Sequence, residues 1–286
     1  MKNRLIINLL LAVLLIALGF FTWFKSNQKN NDNPTLSGLD IQAIHSIKIH
    51  RAKDDLIELQ QTAGEWKLLH PMNASALPGK VERLLKISQI KPPVVYPLEK
   101  ASLDLFGLQN PLVTLSFNDH VFKIGQVETI QSRRYVSNDA QLFLLEDTFL
   151  HHLTAPANTY INTRLLPNGI QITGIETPEM TLHRQKDHTW RNTLNSDHDA
   201  LSSDAVQMLL DEWRFARAIQ VDIQSNQIGE DQVIIHFNDH QKMAFYLLKQ
   251  KEQVILISAE NKLAYTFSDI KYKKMTTLPA LEAPDA

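Results

Sequence analysis

From residue 41 onward the chain is built of short runs in which apolar and polar residues alternate, and the runs come in two sets. In the first, Ile44, Ile47 and Ile49 alternate with polar neighbours; runs at 56–59 and 66–69 follow, separated by turn formers at 53–55 and 62–64. A period of two over a few residues, bounded by such turn formers, predicts a meander of three short strands. Pro78 then suits the first turn of a helix, and Val81, Leu84, Leu85 and Ile87 form a stripe at helical spacing. Lys91-Pro92-Pro93 ends that helix, and a loop over 103–111 leads to further strands at 113–117, 121–124, 134–136 and 142–145. Asn118-Asp119 and the stretch 137–139 read as the turns between them.

The second set has the same order. Ile170, Ile172 and Ile175 open it, and strands at 180–182 and around Trp190 follow. Ser202 or Ser203 caps a helix with Asp204 in its first turn and Val206, Leu209, Leu210, Trp213 and Phe215 on its apolar face. Strands at 221–223, 233–237, 244–248, 254–257 and 263–267 complete it. Three landmarks tie the sets together. Residues 113–120 (VTLSFNDH) return as 233–240 (VIIHFNDH), identical at five of eight positions. The helical Val81/Leu84/Leu85 returns as Val206/Leu209/Leu210, and Trp66 returns as Trp190. Three landmarks in one order at nearly one offset imply a duplication. Strands, one helix, then strands in each copy predict an α+β fold: two repeated modules of mostly antiparallel sheet with one packed helix each.

Ahead of both lies an almost unbroken apolar run, residues 5–24, with only Asn8 and Thr22 polar. Twenty residues at about 1.5 Å each span roughly 30 Å, the thickness of a bilayer core. The run exceeds the ~7–15 residues of a signal-peptide core and no A-x-A site follows it, so it reads as an uncleaved transmembrane anchor. Lys2 and Arg4 precede it, and the bias of positive charge favours an N-terminus on the cytoplasmic side. The expected layout is a cytoplasmic N-terminus (1–4), the anchor (5–24), a flexible stalk (25–40), a first module (41–155), a connector (156–169), a second module (170–275) and a disordered tail (276–286). The chain is then single-pass in the inner membrane, with its soluble part periplasmic.

Composition narrows the chemistry. A net charge of −2 with no basic block argues against nucleic acid as a partner. The absence of cysteine excludes disulfides, thiol nucleophiles, Cys-ligated zinc and a lipid-bearing cysteine. No nucleophile elbow, phosphate-binding loop or dinucleotide fingerprint occurs. Asp119-His120 and Asp239-His240 place a carboxylate beside an imidazole, but adjacent residues on an extended chain face opposite ways, and Asn-Asp is what a hairpin turn asks for. His236 and His240 stand four apart on a segment that reads as strand, and His151-His152 and His183/His188 bring no third ligand, so no metal and no cofactor is expected. Arg133 and Arg134 before Tyr135 are a candidate anion-binding pair or a charged strand edge. Phe106 and Leu108 around Gly107 either plug the gap between helix and sheet or present an apolar rim to a partner.

The segment carrying Phe106-Gly107-Leu108, Pro111, Ile124-Gly125 and Tyr135-Val136 resembles the DUF4340 family, over about residues 40–155 and more loosely in the second copy, which lacks the Phe-Gly-Leu-x-x-Pro loop and the Ile-Gly step. The resemblance implies a membrane-associated α+β envelope protein, in some relatives an auxiliary component of ABC-type export systems, and brings no catalytic residues. The expected function is a non-catalytic, membrane-tethered module that binds a partner protein, with Phe106, Gly107, Leu108, Arg133, Arg134 and Tyr135 as candidate binding residues. The competing expectation is a glycan- or lipid-binding module or hydrolase using a groove between the copies, with Asp119, His120, Arg134 and Asp239 in it. A third is a purely structural spacer.

Overall fold

The computed structural model describes residues 34–51, 55–99, 103–193, 201–223, 229, 231–238 and 241–279, together with 15, 16, 18 and 19. No helix among the described residues is long and apolar enough to cross a membrane. The anchor assigned to 5–24 lies outside them except for Leu15, Ile16, Leu18 and Gly19, which are helical and exposed.

The remainder is α+β, two antiparallel sheets with few helices. The first sheet contains β1 (Ser46–Arg51), β2 (Asp55–Thr62), β3 (Glu65–His70), β4 (Ala74–Ser75), β5 (Val94–Pro97), β6 (Val113–Phe117), β7 (His120–Val127), β8 (Arg133–Ser137) and β9 (Gln141–Glu146). Its order is β4-β3-β2-β1-β6-β7-β8-β9-β5. The second contains β10 (Ile172–Glu176), β11 (Thr181–Arg184), β12 (Trp190–Asn192), β13 (Gln220–Asp222), β14 (Asp231–Phe237), β15 (Lys242–Lys249), β16 (Gln253–Ser258) and β17 (Ala264–Ser268), in the order β12-β11-β10-β14-β15-β16-β17-β13. Apart from the two-residue β4, the two orders match strand for strand. Helix α1 (Pro78–Ser88) precedes β5, and α3 (Ser203–Arg214) precedes β13, so each crosses between the edges of its own sheet. Of the helical landmark residues Val81 and Leu84 in α1 and Val206, Leu209 and Leu210 in α3 are buried as their spacing predicts and Leu85 is half-buried, whereas Phe215, expected on the apolar face, is the C-cap and 59% exposed, because the helix ends before it. Ser202 is the N-cap of α3, but its side chain makes no capping bond. Each sheet is followed by a further helix, α2 (Leu150–Leu153) and α4 (Asp269–Thr276). The eight-residue α4 has no clear apolar stripe, yet Tyr272 and Met275 are buried and the Trp213 indole donates to the Met275 carbonyl. The tail expected from 276 therefore begins beyond the buried Thr276, and 280–286 lie outside the described residues.

The repeated Phe-Asn-Asp-His stretch has a structural reason. Phe117 pairs with His120 across a two-residue turn in which Asn118 sits at φ 50°. That left-handed conformation is one Asn tolerates better than most residues. The Asn118 carboxamide oxygen accepts from the backbone of His45 (3.0 Å) and Ser46 (3.1 Å), and its nitrogen donates to the Ala43 carbonyl (2.9 Å). The turn thus holds the chain where it enters β1. In the second copy Asn238 donates from its backbone to the Gln171 carbonyl (3.2 Å) and from its side chain to the Gln171 amide oxygen, at the entry to β10. Asp239 and His240 lie outside the described residues.

Two features depart from the expected layout. The stalk drawn through 25–40 stops earlier. Leu36 is 4% exposed, its N–H donates to the Ile90 carbonyl (2.8 Å), and the Ser37 N–H donates to that of Ser88 (3.1 Å), so the arm is docked on the end of α1. An apolar Leu in a polar stretch is the reason. The connector is also no loose link. The Leu77 N–H donates to the Tyr160 carbonyl (2.7 Å) and the Asn162 N–H to that of Ser75 (2.8 Å), while Ala218 donates to Thr163 (2.8 Å) and Leu165 to Ala216 (3.1 Å). Tyr160, Ile161, Leu165 and Leu166 are buried, and the apolar residues of both modules join one continuous cluster.

Two outcomes test this description. Asn118→Ala removes three side-chain hydrogen bonds at about 1 kcal/mol each, some of them open to water, so urea unfolding is expected to show a loss of roughly 2 kcal/mol. Asn118→Gly, which tolerates the turn, recovers only the backbone part. His152 in α2 has a buried Nδ1 without a partner. Burial, then the neighbouring His151, Arg83 and Lys80, hold its pKa below the usual imidazole value. The native state favours the neutral ring, so its contribution is present above the unfolded value of about 6.5 and is lost as pH falls through the lower native value. Stability is expected to fall more steeply between about pH 7 and 5 in the native protein than in His152→Gln.

Candidate functional site

Five of the six candidate binding residues lie over the face of the first sheet turned away from the core: the 106–108 segment, with Arg133 and Tyr135 on β8; Arg134 alternates to the inner face, the side of the buried Val136. Gly107, at φ 65°, turns the 103–108 segment back so that Leu108 is fully buried. The Gln126 N–H donates to the Phe106 carbonyl (3.0 Å) and the Gln126 side chain to the Leu105 carbonyl (2.6 Å). A Cβ on Gly125 would stand 2.2 Å from the Phe106 carbonyl oxygen, so only glycine admits this approach. The Phe106 and Tyr135 rings lie 4.6 Å apart. The segment is therefore a plug that covers the outer face of β7 and β8, and the apolar rim is carried by its neighbours, Leu105 (71% exposed) and Ile130 (86%).

Arg134, a candidate anion-binding residue, is engaged within the fold. It is 5% exposed, its Nε donates to Asp147 Oδ1 (2.8 Å), its Nη2 to Asp147 Oδ2, and its Nη1 to the Gly125 carbonyl (2.6 Å). The fork is spent on a bidentate pair that pins β8 to the bulge of β7. Arg133 is half-buried at the start of β8. Nor do Asp119 and His120 join Arg134. Both are exposed at the opposite end of β8, and neither makes a side-chain hydrogen bond with a described residue. The connector is hydrogen-bonded to both modules, and four clefts among the described residues lie within one module or the other.

Sequence reasoning missed two constellations. On the second sheet, register places Gly174 between His183 and His236. Glu176 Oε1 lies 2.7 Å from His236 Nε2 and 3.4 Å from His183 Nε2. A Cβ on Gly174 would stand 2.6 Å from His183 Nδ1, so the glycine makes room for the ring. The imidazoles reach Glu176 from the strands on either side and bracket it. This ties three strands together, and no group of described residues is disposed to hold a metal ion. The second constellation is a cleft of about 200 Å³ under the plug, where Leu98 and Leu103 face Lys123 and Ser137 of β7 and β8. It shares Val121, Asn138 and Asp139 with a neighbouring cleft of about 240 Å³ that contains Asp119 and His120. No contiguous motif announces it, because its parts come from a loop and two cross-strand neighbours.

Glycine also reveals a counterpart to the plug that the sequence hides. A Cβ on Gly229 would stand 1.9 Å from the Leu247 carbonyl oxygen, and Leu247 occupies the place of Gln126, against which Gly107 packs.

Removing one member of the Arg134–Asp147 pair leaves the other charge mostly buried and unpaired. Arg134→Met is expected to cost about 3 kcal/mol in urea unfolding, and the double change with Asp147→Leu to recover more than half of it. Equal losses in the single and double variants would show that the pair itself contributes little.

The chain matches no family model, no curated protein and no solved structure.

Proposed function

We propose that this protein is a non-catalytic, membrane-tethered module of the cell envelope that binds a partner protein, as an accessory of an ABC-type transport or envelope-assembly system. In this reading residues 5–24 are the anchor, the N-terminus is cytoplasmic, and the two modules lie on the periplasmic side. The observation that carries it is the docking of Leu36 onto α1. Residues 25–35 reach at most roughly 36–40 Å, so a body fastened at Leu36 is held close to the membrane that bears the anchor. Surface chemistry supports a protein partner. Arg134, Glu176 and Glu212 are engaged with Asp147, His236 and Lys271 inside the fold, while Leu105 and Ile130 stand in solvent beside the plug. Exposed apolar residues on the loops of the first module suit a protein contact.

In-cell crosslinking of the full chain, gentle solubilisation and mass spectrometry of what co-purifies is the test. A stoichiometric membrane complex is expected, and Leu105→Glu with Ile130→Glu should release the partner without moving the melting midpoint. Recovery of the protein alone at native expression would sink the reading.

A further inference from the structure

We infer that the cleft beneath the 103–108 plug is a binding site for a small zwitterion with an apolar body, an apolar free amino acid. The inference goes beyond partner binding and rests on the first module alone. Register pairs Lys123 with Ser137 on the outer face of the sheet. Ser137 is 1% exposed, and its hydroxyl is buried without any hydrogen-bond partner. Such a group destabilises a fold unless something satisfies it. Lys123 has no carboxylate partner among the described residues. Both line the cleft, and Leu98, Leu103 and Val121 supply its apolar wall. Asp139, exposed at the β8–β9 turn, also lines the cleft, and Asp119, exposed at the β6–β7 turn, lines the adjoining one.

The cleft thus combines a buried hydroxyl and a half-buried lysine with exposed carboxylates in it and in the adjoining cleft. An anion alone leaves the aspartates unmatched, and a cation alone leaves Lys123 unmatched. A molecule with a carboxylate for Lys123 and Ser137, an ammonium for the aspartates and an aliphatic side chain for the leucines matches each in turn. A volume of about 200 Å³ suits a ligand of that size and falls below the ~300–1,000 Å³ usual for larger ones. The second module supplies an internal control. By strand register Lys123 corresponds to Ala244, whose neighbour on the next strand is Ala259. The same fold is therefore built without the Lys–Ser pair.

The experiment is titration calorimetry on the full chain in detergent with leucine, valine and phenylalanine, and with hexanoate, pentylamine and phosphoethanolamine as single-feature or headgroup probes. At least one of the amino acids is expected to bind at one site, with hexanoate and pentylamine about tenfold weaker or more. Lys123→Gln should weaken amino-acid binding about tenfold. Ser137→Ala should weaken it severalfold while leaving the melting midpoint level or higher, because it removes an unsatisfied hydroxyl. That combination separates a ligand-binding hydroxyl from a structural one, whose loss would lower the midpoint. The inference is overturned if none of the three amino acids binds up to about 10 mM. It is equally overturned if hexanoate or phosphoethanolamine binds as well as they do, or if Lys123→Gln changes nothing. None of these outcomes bears on whether a partner protein co-purifies.

Discussion

The connector is the constraint on which the rest depends. A sheet of this size with one helix leaves apolar surface at its margin, and each module has such a margin beside its helix. Residues 160–165 run between the two margins with one isolated bridge to each, Ile161 to Ala76 and Arg164 to Arg217, and are hydrogen-bonded through Tyr160 and Asn162 to the first module and through Thr163 and Leu165 to the second. The link shares backbone hydrogen bonds with both bodies it joins, and Tyr160, Ile161, Leu165 and Leu166 are buried. Two repeats that would otherwise move independently are fused into one core.

That fusion separates what was legible in the sequence from what was not. The α+β class, the order of strands and helix in each copy and the burial of the helical stripes followed from periodicity, because each depends on residues close together in the chain. The repeat was legible for the same reason, and the structure explains why the Asn of Phe-Asn-Asp-His recurs. Asn118 and Asn238 each hold the turn after a central strand against the entry to the neighbouring one. The docking of Leu36 and the hydrogen bonding of the connector were not legible. Polar composition marked both as links, and nothing local distinguishes a link that finds a partner edge from one that does not.

The same distinction governs the candidate site. Phe106 and Tyr135 pack ring on ring and Gly107 closes against β7, because the glycines and aromatics form a local pattern whose physical demand is close packing. The pairing of Arg134 was not legible, because its partner Asp147 stands on the far side of the next hairpin. Lys123 and Ser137 carried no signal at all. They are fourteen positions apart and meet only through the β7–β8 register, which shifts at a bulge between Ile124 and Val127 that the sequence does not announce.

A duplicated fold offers a way to separate structure from function without any relatives. What both copies keep is what the fold requires: the strand order, the helical stripe, the turn Asn, and a glycine pressed against the backbone of the second strand of the repeated hairpin, Gly107 on Gln126 and Gly229 on Leu247. What only one copy keeps is free of that requirement. By this criterion the Arg134–Asp147 pair, the Phe106–Tyr135 contact and the Lys123–Ser137 pair belong to the first module alone. The first two close their own hydrogen bonds and packing, so their presence is explained by the plug they hold. Ser137 closes nothing, and a buried hydroxyl that the sister module dispenses with points to a ligand rather than to the fold.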